Sequence, residues 1–476
     1  MRLLIAGGGG FRVPLIYRAL ASGRYAGLVT ELVLHDVDAA RLDAVTAVLR
    51  SMPGHHTSLP VQATTDLREG LAGAGMVFAA IRPGGTAGRV ADEKVAQRLG
   101  VLGQETTGAG GISYALRTIP HMLELARLMR EHCPEAWLIN FTNPAGMVTE
   151  ALLPVIGGRV IGICDSAGAL VHRAARAAGL ALPEGRLDGV GYYGLNHLGW
   201  LYRLESGGRD VLPDLLKDAA ALQSFEEGRL FPPEFLAGLG LLPNEYLFYY
   251  YHAGAARQAM QAMARTRGEA IHGQQQELYP RLATAGADAY RLWDEARRSR
   301  EEGYLAEARG DGEWRDEEDL AGGGYERVAL AAMLALDGNG GGRQGGETQL
   351  ILNTRNTLQS SGVAPRPAAA GQSAPQPALP GLPADAVVEI PCTVTPGGAV
   401  PLPQEAPAEP QLGLLRRVKE VEQLTVRAAS EGNRDAALAA FARHPLVDSE
   451  DLAVKLLAGY EEAFPALGKM WQGGGR

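Results

Sequence analysis

The chain has 476 residues, 46% of them hydrophobic and 21% charged, which is enough material for two domains with separate cores. Lys and Arg total 45 against 54 Asp and Glu, a formal net charge of −9, and this argues against nucleic acid or an anionic membrane surface as partner, because both favour basic patches. Cys133, Cys164 and Cys392 are too few for a disulfide framework and suit a reducing cytoplasm.

The opening Met-Arg-Leu-Leu-Ile-Ala runs into glycines too early for a signal peptide, and no uncharged apolar window of about 18 residues exists, so no membrane span is expected. Residues 2–6 read as a strand entering four glycines, Gly7 to Gly10, and residues 14–22 as a helix. A second strand over 31–35 ends at Asp36, and 39–50 is helical. Strands follow at 61–64 and 76–80, then a long helix over 113–132 and a strand over 137–140. Strands alternating with helices imply an α/β fold with a parallel sheet covered on both faces. Residues 1–165 are therefore expected to form a Rossmann-like, doubly wound dinucleotide-binding domain.

Residues 166–476 are mixed, and are expected to form a C-terminal α+β domain carrying much of the substrate site. Long helical stretches fit 255–303 and 411–441. Gly-, Pro- and Ala-rich segments at about 338–348 and 360–384 read as low-complexity insertions flanking a strand at Gln349–Asn353.

A strand, a glycine turn and a helix bring backbone amides and a helix N-terminus to a pyrophosphate. Gly7, Gly8 and Gly9 supply the close approach, although Arg12 or Val13 stands where the usual fingerprint has its third glycine. Asp36 ends the second strand, where a carboxylate accepts both ribose hydroxyls and repels a 2′-phosphate, which favours NAD over NADP. A tight turn followed by an N-capping aspartate is the plainer alternative.

Two segments about 30 residues apart, Gly162-Ile163-Cys164-Asp165 and Gly194-Leu195-Asn196-His197, each follow an apolar run and end near a residue able to ligate a metal. A buried small thiol and a hydrogen-bonded histidine are equally open at this point. Strand ends of a parallel sheet are nonetheless where ligands bind. The tyrosines of Pro243–His252 read as core or interface, since a catalytic tyrosinate needs a nearby cation to lower its pKa. Arg89 and Arg267 are solvated arginines or, if they converge, a phosphate grip. Asn143-Pro144 is a turn signal, and Asn143 also suits hydroxyl recognition.

Taken together these segments resemble glycoside hydrolase family 4, the NAD-dependent glycosidases. The matching stretches are Ala6-Gly7-Gly8-Gly9 with Pro14, Arg82-Pro83-Gly84-Gly85 with Gly88-Arg89, Gly103-Gln104-Glu105-Thr106-Thr107-Gly108 and Ala115-Leu116-Arg117. They continue with Asn140–Pro144, Gly162-Ile163-Cys164, Tyr192–His197, Tyr246-Leu247 with Tyr249-Tyr250, Asn353–Asn356 and Glu389–Cys392. They keep the family's order over nearly the whole chain, and within the family they are most similar to the 6-phospho-β-glucosidases.

The resemblance implies a glycosidase outside the two-carboxylate scheme. NAD⁺ takes hydride from C3 of the sugar, the ketone acidifies the C2 proton, a base removes it, the C1 group leaves, water adds, and NADH reduces C3 again. Cys164 and His197 match the family's metal ligands, usually for Mn²⁺, and Tyr246 matches the C2 base. Asn143 matches a hydroxyl contact, and Arg89 and Arg267 are candidates for the sugar 6-phosphate. The implied substrate is a phosphorylated disaccharide or glucoside, with a homodimer or homotetramer expected. Two departures stand out. Gly10, Phe11 and Arg12 replace the serines common after the first glycines. Asp165 replaces the asparagine usual in 6-phospho-β-glucosidases and resembles the leaving-group acid of α-specific members, which leaves an α-specific or unphosphorylated specificity open. Outside the family, a 2-hydroxy-acid dehydrogenase shares the nucleotide half but yields net NADH. A non-catalytic NAD-binding sensor is the third reading.

Overall fold

The structure, a computed structural model, describes residues 1–21, 23–53, 59–304, 324–337, 346–358 and 375–473. Its strands are β1 (Arg2–Ala6), β2 (Glu31–His35), β3 (Val61–Thr64), β4 (Met76–Ala79), β5 (Trp137–Asn140), β6 (Val160–Gly162), β7 (Val190–Leu195), β8 (Leu198–Ser206), β9 (Arg209–Asp210), β10 (Leu242–Pro243), β11 (Thr348–Arg355), β12 (Val387–Thr395) and β13 (Gly398–Pro401). They form one sheet in the order β3-β2-β1-β4-β5-β6-β11-β12-β7-β8-β10, with β9 on β8 and β13 on β12.

Strands β1 to β6 pair in parallel. Leu3 and Ile5 of β1 enter one apolar cluster and Leu4 and Ala6 the other, so each face of the sheet has its own core. That is what a parallel sheet requires, since its crossover helices cover both faces. β1 lies between β2 and β4. The strand order therefore reverses beside β1, and a crevice opens at its carboxyl end.

The remaining strands extend the same sheet in antiparallel fashion. Gly162 pairs with Asn353, Asn353 with Glu389, and Glu389 with Gly194. This row carries the sheet from β6 to β7. The β7–β8 turn then holds Asn196 and His197. Asn196 Oδ1 accepts from the Ala145 amide at 3.1 Å, which ties the turn to the start of the helix Ala145–Ile156 that follows β5.

The five sequence-read strands of the first half and the one at Gln349–Asn353 are present, with ends shifted by no more than two residues. The long helical stretches are broken. Residues 255–303 divide into Ala253–Ala262, Arg267–Thr284 and Ala289–Glu302. Thr266 starts the second of these with a capping box to Glu269, a local satisfaction of helix-end amides that periodicity alone does not reveal. The stretch 411–441 breaks at Gly432, with φ 68°, and Asn433 caps the next helix. Most of the expected insertions at 338–348 and 360–384 fall outside the described residues. The part from 375 to 384 is packed rather than loose. Asn356 donates to the carbonyls of Leu379, Leu382 and Pro383 and accepts from the Leu379 amide, and Ala378 and Leu379 are buried. No described helix is long and apolar enough to cross a membrane.

Candidate active site

The glycine turn follows β1 into the crevice. Gly7 has φ 93°, and a Cβ there would lie 2.5 Å from the Ala80 carbonyl oxygen, so only glycine fits. At Gly9 a Cβ would meet Arg41 Cβ at 2.7 Å and Asp36 Oδ2 at 2.9 Å. Asp36 accepts from the Gly9 amide at 3.1 Å, which brings the carboxylate against the turn, where a cofactor ribose would sit. Tyr279 donates to the Gly9 carbonyl at 2.8 Å and accepts from Arg41 at 2.8 Å. The amides of Gly7 and Gly8 both donate to the His35 carbonyl, at 2.9 and 2.7 Å, and that of Gly10 donates to Gly7. Those amides are engaged inside the protein. Phe11 and Arg12 precede the helix Val13–Ala21, so their amides are the ones best placed for an anion at its N-terminus.

Cys164 follows β6 and His197 follows β7, both buried. They meet around Tyr246. The His197 and Tyr246 rings stack with centroids 3.8 Å apart at 13°, and the Cys164 thiol is among the charges that Tyr246 feels. His197 is the one described non-glycine residue with positive φ, 63°, a conformation that persists only when the surroundings impose it. Burial lowers the imidazole pKa to about 4, so at neutral pH it is uncharged and able to ligate. Burial, then Glu389, Asp165 and Glu245, push the Cys164 thiol well above its ordinary value.

Two of those carboxyls are themselves held toward the neutral form. Burial raises Glu389 to about 7 even though Asn196, Asn353 and Tyr192 donate to it. Burial, then Glu227, raises Glu245 to about 8. A thiol, a neutral imidazole and carboxyls held toward their neutral forms are groups whose ligating forms a divalent ion would favour. Among the described residues no three His, Cys, Asp or Glu side chains converge as a metal-binding group. Two protein donors leave the other coordination positions to substrate or water, as in an open catalytic site. The residues therefore fit a metal.

Tyr246 lies on a short turn started by Asn244, whose side chain accepts from the Tyr246 amide at 3.0 Å. Its hydroxyl is 2.9 Å from that of Tyr304, which also reaches Glu245 Oε1 at 3.3 Å. Burial, then Glu245 and Cys164, hold the phenol well above its ordinary value. Ionising it needs a cation nearby.

Arg89, Glu105, Tyr246, Arg267 and Tyr304 line one cavity. Arg89 is bound to Glu93 and Glu105, both at 2.8 Å, and Arg82 reaches Glu105 at 2.8 Å. Arg267 donates to the Gly303 carbonyl and, at 3.3 Å, to that of Arg300. Burial favours the neutral carboxyl at Glu105, but Arg82, Arg89, Arg300 and Arg267 outweigh it and hold the pKa at about 2. Arg300 shows the opposite imbalance. Burial, then Arg12, Arg267 and Arg89, bring it down to about 9. Cations exceed anions here, and a phosphate would restore the balance. Sequence reading missed Arg300, which looks like one more charge on an amphipathic helix; it also missed Tyr304 and the hydrogen bond of Thr106 to His197 Nδ1 at 2.9 Å.

Asn143 stands just before the helix whose first amide binds Asn196, beside His197. Asp165 starts the helix Ser166–Ala177 and is among the charges felt by Cys164, Tyr246 and Arg12. Cys164, His197, Asp165, Arg89 and Arg267 therefore border the Tyr246 region, Asn143 stands near the His197 turn, and Asp36 and the glycines face the adjoining crevice.

The family 4 glycosyl hydrolase model matches residues 2–180, and the model of that family's C-terminal domain matches residues 192–447. A probable 6-phospho-beta-glucosidase of Bacillus subtilis is 28% identical over 485 residues, covering 98% of this chain and 97% of the relative. A 6-phospho-alpha-glucosidase of Lacticaseibacillus paracasei is 34% identical over 272 residues, 52% of this chain and 60% of the relative. The solved 6-phospho-beta glucosidase of Thermotoga maritima with manganese, NAD⁺ and glucose-6-phosphate aligns with a TM-score of 0.75 and 25% identity, over 98% of this chain and 99% of that one. The chain belongs to glycosyl hydrolase family 4.

Proposed function

We propose that the chain hydrolyses 6-phospho-glucosides, β favoured, with NAD and a divalent metal such as Mn²⁺. The observation that carries this reading is that Tyr246, which lines one cavity with Arg89 and Arg267, stacks on His197 with 3.8 Å between centroids. A hydroxyl able to move a proton thus lies between a candidate metal ligand and a surplus of guanidinium charge. The relatives' names and the Thermotoga maritima complex support the substrate class and both cofactors.

When bound, NAD supplies a hydride acceptor and the metal supplies Lewis acidity at sugar oxygens. The protein's part follows from its residues. Gly7, Gly8 and Gly9 let the cofactor approach the backbone, and Asp36 takes its ribose. Cys164 and His197 hold the metal. Arg89, Arg267 and Arg300 surround the phosphate, and Asn143 binds a hydroxyl. Tyr246 takes the C2 proton, and Tyr304 hydrogen-bonds its oxygen. Asp165 faces the leaving group. Glycine turn and aspartate belong to residues 1–165, whereas His197, Tyr246 and Arg267 belong to 166–476; we keep that division as a proposal. The three free, buried cysteines suit a reducing cytoplasm.

A panel of α- and β-nitrophenyl glucosides, with and without 6-phosphate, tests the reading in the presence of NAD⁺, Mn²⁺ and a reductant. Cleavage of the phosphorylated β-glucoside without net NADH is expected. Cleavage of the α anomer alone would move Asp165 into the leaving-group role of α-specific members. Accumulation of NADH on a 2-hydroxy acid, with no cleavage, would overturn the glycosidase.

A further inference from the structure

We propose that Thr106, oriented by Gln104, fixes the tautomer of His197 and so presents Nε2 to the metal; the inference rests on Cys164 and His197 being the metal ligands. Gln104 Oε1 lies 2.6 Å from the amides of both Thr106 and Thr107. An atom facing two N–H donors is the amide oxygen, not the NH₂ group. The Thr106 hydroxyl lies 3.1 Å from the same oxygen. In the proposed arrangement the one hydroxyl proton points toward that acceptor. What the hydroxyl has left for His197 Nδ1, at 2.9 Å, is a lone pair. Nδ1 therefore carries the proton, and in a neutral imidazole Nε2 is then the bare nitrogen.

The opposite arrangement is poor on two counts. If Thr106 donated to Nδ1, its oxygen and Gln104 Oε1 would face each other 3.1 Å apart with no proton between them. The proton of His197 would then sit on Nε2 and block the ligand position. A hydrogen bond to the second ring nitrogen is how proteins orient a metal-bound histidine and raise its basicity. Here the partner is a threonine 91 positions away in sequence, held on the segment just before the helix Ala109–His132. Thr106 acts as a positioning residue, because its hydroxyl acts through His197.

The test uses the full-length protein and Mn²⁺ alone, with free ion followed by electron paramagnetic resonance. T106V is expected to weaken Mn²⁺ binding by about 10–100-fold and T106S by no more than about threefold. NAD⁺ binding, read by fluorescence, should be unchanged in both. Wild-type Mn²⁺ affinity in T106V, with binding lost in C164S, overturns the inference and leaves the metal site standing. Wild-type affinity in C164S overturns the metal site and the inference together. A second measurement needs no variant at position 106. In ¹⁵N-histidine-labelled metal-free protein, with His197 assigned by its loss in H197Q, Nδ1 should be protonated and Nε2 bare; the reverse tautomer overturns the inference.

Discussion

The glycine turn and the Tyr246 region sit at the same end of one sheet but are built differently. At the turn the backbone amides make short-range contacts or reach the neighbouring strand β2, while the Gly9 carbonyl is held by Tyr279 from a distant helix. Gly7 and Gly8 bond to His35, and Gly9 bonds to Asp36. Around Tyr246 the groups come from many separate stretches, and their charges do not balance. Carboxyls at Glu389 and Glu245 are held toward neutrality while Arg300 is held toward deprotonation. The first region is a preformed cradle. The second is an electrostatic arrangement that ligands complete, and perturbed groups of this kind collect at catalytic sites.

That contrast can be broken by substitution. Removing a metal ligand should do most: Cys164→Ser is expected to lower turnover by about a thousandfold or more while NAD⁺ still binds. Retained turnover at saturating Mn²⁺ would take Cys164 out of the site. Tyr246→Phe should lower kcat by about 10²–10⁴-fold and leave Mn²⁺ affinity nearly unchanged. A loss confined to KM would make Tyr246 a binding residue rather than a base. Asp36→Ala should act only on the cradle, weakening NAD⁺ by roughly 10–100-fold through lost ribose hydrogen bonds. If it weakened Mn²⁺ equally, the two regions would not be separable.

The smallest effect concerns pH and stability. Glu245 is raised from 4.5 to about 8, so the folded state binds its proton more tightly than the unfolded chain does. The stability this confers is fully present below pH 4.5 and disappears as pH rises through about 8. The melting temperature of metal-free protein should therefore fall over that range. Glu245→Gln should flatten the fall, and added Mn²⁺ should offset part of it. A flat profile in metal-free wild type would show that the buried carboxyls are relieved by something else.

The two regions also differ in how far they can be read from sequence. β1 and the glycines are contiguous and Asp36 ends the next strand, and the continuous apolar run of β1 and the steric demands at Gly7 leave a direct trace in residue order. Cys164, His197 and Tyr246 were each visible, but their convergence follows from β7 running antiparallel on β12, which no local pattern encodes; family resemblance supplied it. Arg300 and Tyr304 left no trace, and Thr106 stood in a matched stretch without a role, because an ordinary threonine, arginine or tyrosine acquires one only from its three-dimensional neighbours. Long helical periodicity likewise hid the caps at Thr266 and Asn433, where a side-chain acceptor, not hydrophobic spacing, ends one helix and starts the next.

Convergence of the cofactor and the metal on one sugar ring is most directly tested with deuterium at C2 and, separately, at C3 of a phosphorylated glucoside, with NAD⁺ and Mn²⁺ present and chemistry limiting. Each label should slow cleavage, since in the proposed reaction Tyr246 would remove one of these hydrogens and bound NAD would supply the acceptor for the other, and no NADH should build up. Cleavage at an unaltered rate with both labelled substrates would mean that neither bond breaks, and the bond would then be cut by ordinary hydrolysis.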